Sequence, residues 1–398
     1  MRILFLSHRL PYPPSHGSKI RCFNIISHLA RHHEVTVASL ARSEAEVEAG
    51  RPLSHSTKLI VETISPIAAL ARMIARVPTP VPSAIGYFHS PALARRLRDE
   101  IARSAFDVIF VHCAFVAHYV ADVRGPRKIL DFCDMDSHKW LAYARFRRWP
   151  VGAGYALEGR KMRRAEARLA RHFDICTCAT ESELEILRSY NVPVESRCLP
   201  IDVDTEYFQT ASERYDPDSL VFVGRMDYFP NEEGIVDFCR RTLPLIRARR
   251  PKTTLTIVGA DPSAAVRKLA GVPGVTVTGI VPDVRPYLSR SAVAIAPLRI
   301  ARGTQTKILE AMAMGVPTVA SVASAGGVDA EPGRDLLVAG TPEEFAATVV
   351  RLLEDPAERR RLGDAGRRCM MANHSPAKAM RIVDEIIGVA RPPTSSRA

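Results

Sequence analysis

Short apolar runs alternate with amphipathic stretches along this chain, and the alternation starts twice. Arg2 to Leu6, Val35 to Ser39, Val108 to Val111, Lys128 to Phe132 and Phe173 to Cys176 are apolar runs of strand length. Helical patterns such as Lys19 to Arg31 and Pro91 to Arg103 separate most of them. Strands that alternate with helices in this way specify a doubly wound, mostly parallel α/β sheet, because each crossover helix must cover a face of the sheet it returns to. The pattern restarts at Leu220-Val221-Phe222-Val223-Gly224 and continues through Thr254 to Val258, Val275 to Thr278, Ala292 to Ala296 and Thr318 to Ser321. Between the two series lies Val194 to Ser219, which is polar and turn-like at Arg214-Tyr215-Asp216-Pro217-Asp218. The expectation is two tandem Rossmann-like domains, 1–205 and 206–374, followed by a helical segment at 375–390 and a disordered tail at 391–398.

Chemistry gathers where strands end. The run Ala292 to Leu298 reads as a buried strand, followed by a loop of small and polar residues from Arg302 through Gly303, Thr304, Gln305 and Thr306 into strong helix formers. A helix start leaves amides without intrahelical partners and carries partial positive charge, so it suits a phosphate; Lys307 adds a full cation, and Glu310, one turn on, can accept from ribose hydroxyls. In the first half, strand one runs into a proline-held loop, Ser7 to Arg21, in which Gly17 opens the next helix. His112 follows the strand Asp107 to Val111, where a parallel sheet gathers its ligands. Asp131, Asp134 and Asp136 cluster at another strand end, suited either to a divalent cation or, through Asp136 or Ser137, to capping the next helix. Gly224 ends a strand and presents Arg225, whose guanidinium suits the fork of phosphate oxygens.

The run Leu309-Glu310-Ala311-Met312-Ala313 with Gly315, Pro317, Val319 and Ala320 resembles the nucleotide-sugar site of the retaining glycosyltransferases of family 4. That resemblance implies the GT-B architecture, two Rossmann-like domains facing a central cleft, with a last helix that can cross back to the first domain. It further implies that Arg225 and Lys307 meet the donor pyrophosphate, and that Gly17, Gly224, Gly303, Thr304, Gln305, Thr306 and Glu310 hold the donor. The loop at Ile280 resembles the segment whose backbone reads the nucleotide base. His112 corresponds to a family histidine near the donor sugar and is assigned with Arg225 and Lys307 to catalysis. The family carries two glutamates separated by seven residues, and Arg302, assigned with the others to the donor, stands at the first position. The N-terminal loop resembles a Pro-Pro-x-x-Gly-Gly loop with His16 replacing one glycine. That loop and the acidic run are similar to a subgroup of sugar transferases found with bacterial exosortase-linked exopolysaccharide gene sets. His16, Arg21, Asp134 and Asp136 are assigned to the acceptor side. The implied activity is transfer of a sugar from a nucleotide-diphosphate donor to a glycan or polyprenyl-linked acceptor, with no metal and no other cofactor required. The alternatives are a nucleotide-sugar 2-epimerase of related fold and a non-catalytic polyanion-binding protein.

The net charge of +12 is uneven: residues 1–200 carry 29 Lys and Arg against 19 Asp and Glu. The excess is densest from Arg145 to Arg171, suited to anionic lipid headgroups and hence to peripheral contact with a membrane. No nucleic-acid reader motif accompanies these cations, which argues against nucleic acid. No apolar run is long enough to span a bilayer, and the N-terminus reads as a strand and not a signal peptide. Eight cysteines without a Cys-x-x-Cys spacing suit reduced, buried thiols and a cytoplasmic location, with the inner membrane face as the peripheral alternative.

Overall fold

The computed structural model describes residues 1–14, 17–209 and 215–388; His16 and the segment 391–398 lie outside them. The chain divides into two compact units, Met1–Pro200 with the chain from Ala379 onward, and Ile201–Lys378.

Among the described residues the first unit holds a seven-stranded sheet in the order β3-β2-β1-β4-β5-β6-β7. The strands are β1 Arg2–Ser7, β2 Glu34–Ala41, β3 Lys58–Thr63, β4 Val108–His112, β5 Arg127–Cys133, β6 Ile175–Cys178 and β7 Glu195–Cys198. All its pairings are parallel. Alternate residues of β1 serve opposite faces: Leu4 and Leu6 join one core with Val111 and Leu130, while Ile3 and Phe5 join another with Ile25 and Val37. That second face is completed by Ala379, Val383, Ile386 and Ile387 of the helix Pro376–Ile387.

The second unit holds a six-stranded parallel sheet in the order β10-β9-β8-β11-β12-β13. Its strands are β8 Asp216–Val223, β9 Thr254–Val258, β10 Val275–Val277, β11 Ser291–Ala296, β12 Thr318–Ser321 and β13 Leu337–Ala339. Leu220 and Phe222 pack on one face, and Val221 packs on the other.

β3, β7 and β13 are additions to the strands expected from periodicity. β7 is the polar run Glu-Ser-Arg-Cys at a sheet edge, half exposed along its length, so hydrophobic patterning is blind to it. It lies in the stretch expected to be turn-like, and β8 also begins in that stretch, at Asp216.

Candidate functional site

In each sheet the strand order reverses once: between β1 and β4 in the first unit, and between β8 and β11 in the second. Beyond the carboxyl ends of strands at such a reversal, the outgoing loops part and leave room for a ligand.

In the second unit, Gly224 follows β8. A Cβ there would lie 2.7 Å from Asn231 Nδ2 and 3.3 Å from Lys307 Cε, so the absent side chain is what lets these two groups approach. Asn231 is buried; its Nδ2 donates to the Arg225 carbonyl at 2.8 Å, and its Oδ1 accepts from Lys307 Nζ at 2.6 Å. Lys307 Nζ also lies 5.1 Å over the Phe222 ring. Desolvation pulls Lys307 down to about 8, against the pull of Glu310. Desolvation pushes Glu310 up to about 7, against the pull of Lys307. Both groups are therefore under-solvated as charges, and each would gain from a ligand of matching polarity: phosphate oxygens for the ammonium, hydroxyl donors for the carboxylate.

The loop that brings Lys307 here is held by backbone. Gly303 adopts φ 61°, in the left-handed region. Its carbonyl abuts Gly327, where a Cβ would stand only 1.9 Å from that oxygen. Thr304 Oγ1 is buried without a partner. The helix Thr306–Ala313 starts at Gln305, whose side chain does not cap it but donates from Nε2 to the Arg302 carbonyl at 3.2 Å. The first amides of the helix thus lack a side-chain acceptor, which an anion could supply. Arg302 is exposed. Arg225 is exposed as well and pairs with Asp227 at 2.6 Å and Asp261 at 3.1 Å. Ile280 stands exposed in the loop after β10, next to Gly279.

In the first unit, Ser7 pairs in register with His112 at the ends of β1 and β4. His112 is only 2% exposed, and its Nδ1 lies 2.9 Å from Asp131 Oδ2. Asp131 also accepts from Arg21 Nε at 2.8 Å and Nη2 at 3.0 Å, and from Thr177 Oγ1 at 2.8 Å. Burial works against a charged His112, but the Cys22 sulfur and the Asp131 carboxylate outweigh it and raise its pKa to about 10. Burial likewise works against the Asp131 anion, and Arg21 and His112 overcome it and hold the carboxyl well below its usual range. His8, just past β1, is less buried and stacks on His112 with ring centroids 5.9 Å apart; its Nδ1 has no partner. Burial and the neighbouring His112 keep His8 neutral.

Several expectations change at this point. Arg21 is not an open acceptor contact: it is buried, and its guanidinium is taken up by Asp131 and by the carbonyls of Leu199 and Pro200. Neither Asp136 nor Ser137 caps the helix Asp136–Phe146, since Met135 is the cap residue and the Ser137 amide and hydroxyl both donate to Glu166. Asp136 is buried and paired with Lys139. Asp134 keeps a buried Oδ1 without a partner, and burial pushes its carboxyl up. Gly17 opens the helix Gly17–Leu29, as its place in the loop suggests. His8, Asn231 and the Asp131–Arg21 pair were not signalled by spacing. The one sequence cue was position, since His8 directly follows a strand.

Two family models match the chain. Residues 16–207 match the family described as Glycosyltransferase Family 4, and residues 217–355 match that described as Glycosyl transferases group 1. The structure is similar over nearly its whole length to solved GT-B proteins. Sucrose-phosphate synthase from Thermosynechococcus elongatus aligns with TM-score 0.71 at 16% identity, covering 97% of this chain and 98% of that one. HepE from Anabaena in complex with UDP aligns with TM-score 0.69 at 13% identity, covering 97% and 99%. Both parts of the chain therefore carry glycosyltransferase domains, on a GT-B fold. Among curated proteins, an MMP alpha-(1->4)-mannosyltransferase from Mycolicibacterium hassiacum is 29% identical over 214 residues. The match covers 51% of this chain and about half the length of that relative, 51%.

Proposed function

We propose that the protein is a retaining glycosyltransferase that moves a sugar from a nucleotide diphosphate to a glycan or lipid-linked acceptor, in the assembly of a bacterial exopolysaccharide or other cell-surface polysaccharide. The observation that carries this reading is the convergence of Arg225, Asn231, Lys307 and Glu310 on the strand ends at the β8/β11 reversal, beside an uncapped helix start. HepE has been solved with UDP and with UDP-glucose, which supports a nucleotide-sugar donor for a chain of this fold.

In this reading the diphosphate lies across the amides of Gly303 to Thr306 and against Lys307, while Glu310 takes the ribose hydroxyls. As the glycosidic bond breaks, negative charge grows on the β-phosphate, and Lys307, Arg225 and the helix start stabilise it. Arg225 reaches the phosphate by exchanging Asp227 and Asp261 for a more highly charged partner; exposed pairs of this kind hold by only about 0–1 kcal/mol. The departing phosphate oxygen takes the acceptor proton on the face it leaves, so the sugar keeps its configuration. His112, charged and fixed by Asp131, supports the donor sugar with Gly17, and the acceptor is assigned to His16 and Asp134 in the first unit.

Both domain models are those of transferases, which favours transfer over the 2-epimerase and over a non-catalytic polyanion-binding protein. The test is calorimetric titration with UDP, GDP and ADP, followed by incubation with the matching labelled sugars with and without a membrane glycolipid extract. Transfer into the extract with retained configuration supports the reading. An epimerised nucleotide sugar without any acceptor, or no nucleotide binding at all, overturns it.

A further inference from the structure

The helix Pro66–Arg76 of the first unit is inside out. Its sequence is strongly amphipathic, yet the apolar stripe faces solvent: Ile67 is 82% exposed and Ile74 58%, with Leu70 and Val77 exposed between and beyond them. The residues it turns inward are Ala69, fully buried, and Arg72 and Met73, half-buried. Isolated exposed apolar side chains are ordinary, but a stripe repeating at three and four residues is what a helix normally buries.

The end of this helix is tied to a second element. Lys161 Nζ donates to the carbonyls of Arg76 at 3.1 Å and Val77 at 2.7 Å, so Lys161 is withdrawn from the basic face to which the sequence assigned it. Its helix, Val151–Ala170, still presents Arg160, Arg164 and Arg168 to solvent, together with Leu157. The turn leading into that helix exposes Trp149 by 84%, with Val151 and Phe146, among the exposed Arg145 and Arg148. No Asp or Glu occurs from Thr63 to Arg98, nor from Ser137 to Leu157.

An exposed apolar helix stripe, a bare tryptophan and two sets of exposed arginines complement an anionic lipid surface: Arg145 and Arg148 stand in an acid-free run, and Arg160, Arg164 and Arg168 share their helix only with Glu158, half-buried and paired with Lys161, and the buried Glu166. Branched side chains suit the acyl boundary, and arginine and indole groups the headgroup level. We infer that this face docks the protein on an anionic bilayer, with Ile67, Leu70 and Ile74 inserted and the arginines of the neighbouring helix on the phosphates. The inference goes beyond the glycosyl-transfer reading and does not rest on it. An apolar patch built for a second copy of the chain would not require an acid-free flank on both segments.

The test is co-sedimentation of the full chain with vesicles of phosphatidylcholine alone and of phosphatidylcholine with phosphatidylglycerol in equal parts. The protein is expected to bind the mixed vesicles at least tenfold more strongly. Ile67→Asp with Ile74→Asp should lower that affinity at least tenfold at every salt concentration. Arg160→Gln with Arg164→Gln and Arg168→Gln should lower it at low salt and flatten its salt dependence. Unchanged melting temperatures establish that these exposed substitutions leave the fold intact. Wild-type partitioning of the Ile67→Asp, Ile74→Asp variant overturns the inference. So does a dimer in sedimentation that this variant abolishes without any binding to either vesicle, which would give the stripe to a second copy.

Discussion

Lys307, with a pKa held near 8 by burial, is half titrated in mildly alkaline buffer, and that makes its role measurable. Only the ammonium form attracts a diphosphate. Affinity should therefore hold near neutrality and fall as pH rises through about 8, approaching tenfold per pH unit beyond it. Lys307→Arg should keep affinity level through this window, since a guanidinium does not titrate there. Calorimetry across the range checks both, and a flat wild-type profile counts against Lys307 as the phosphate cation. In the first unit, His112→Ala should cut turnover about a hundredfold while diphosphate affinity stays near wild type. Asp131→Asn should act differently: it leaves Arg21 buried without its counter-charge and should cost about 3–5 kcal/mol of folding stability, read from urea unfolding. The sequence displayed His112, Lys307 and Glu310 because each stands at the end of a legible strand or loop. It could not display Asp131 as the partner of Arg21, which lies 110 residues away, or Asn231 as the support of Lys307, 76 residues away. Such pairs exist only once the sheets are formed.

At the scale of elements, the loop from Arg302 to Gln305 is positioned by backbone contact more than by side chains. Gly327→Ala would place a methyl 1.9 Å from the Gly303 carbonyl, so the loop must move away. A displacement of that order at a binding loop should lower turnover about a hundredfold, with a melting temperature near wild type. Wild-type kinetics in this variant would mean that the loop adjusts without consequence. The last helix is structural for the first unit: Val383, Ile386 and Ile387 are buried with Ile3 and Phe5. Ending the chain after Ser375 removes three side chains each contributing about 1.5–3 kcal/mol, and the first unit should unfold at distinctly lower urea. Most strands with continuous apolar runs were readable in advance, β3 with Leu59-Ile60-Val61 being the exception. β7 and β13 were not, because one is a polar edge strand and the other has three residues, too few for a period to register.

At the scale of the whole molecule, two sheets of the same construction each reverse strand order once and gather polar groups at that point. The restart of the alternation near Leu220 was the clearest sign of this in the sequence, and it is the level at which fold class was most legible. Which cations are exposed was less legible, because charge alone cannot tell a buried Lys161 or Arg21 from a surface cation. The central claim is that the β8/β11 reversal of the second unit is a nucleoside diphosphate site. Calorimetry of UDP, GDP and ADP against the wild type, Lys307→Met and Glu310→Gln tests it most directly, since methionine keeps the aliphatic stem that passes Gly224. The account predicts that one diphosphate binds the wild type, that Lys307→Met weakens it by about 1.5–3 kcal/mol, and that Glu310→Gln weakens it as well, both variants remaining folded. Wild-type affinity in both variants, or no binding of any of the three diphosphates to the wild type, would contradict it.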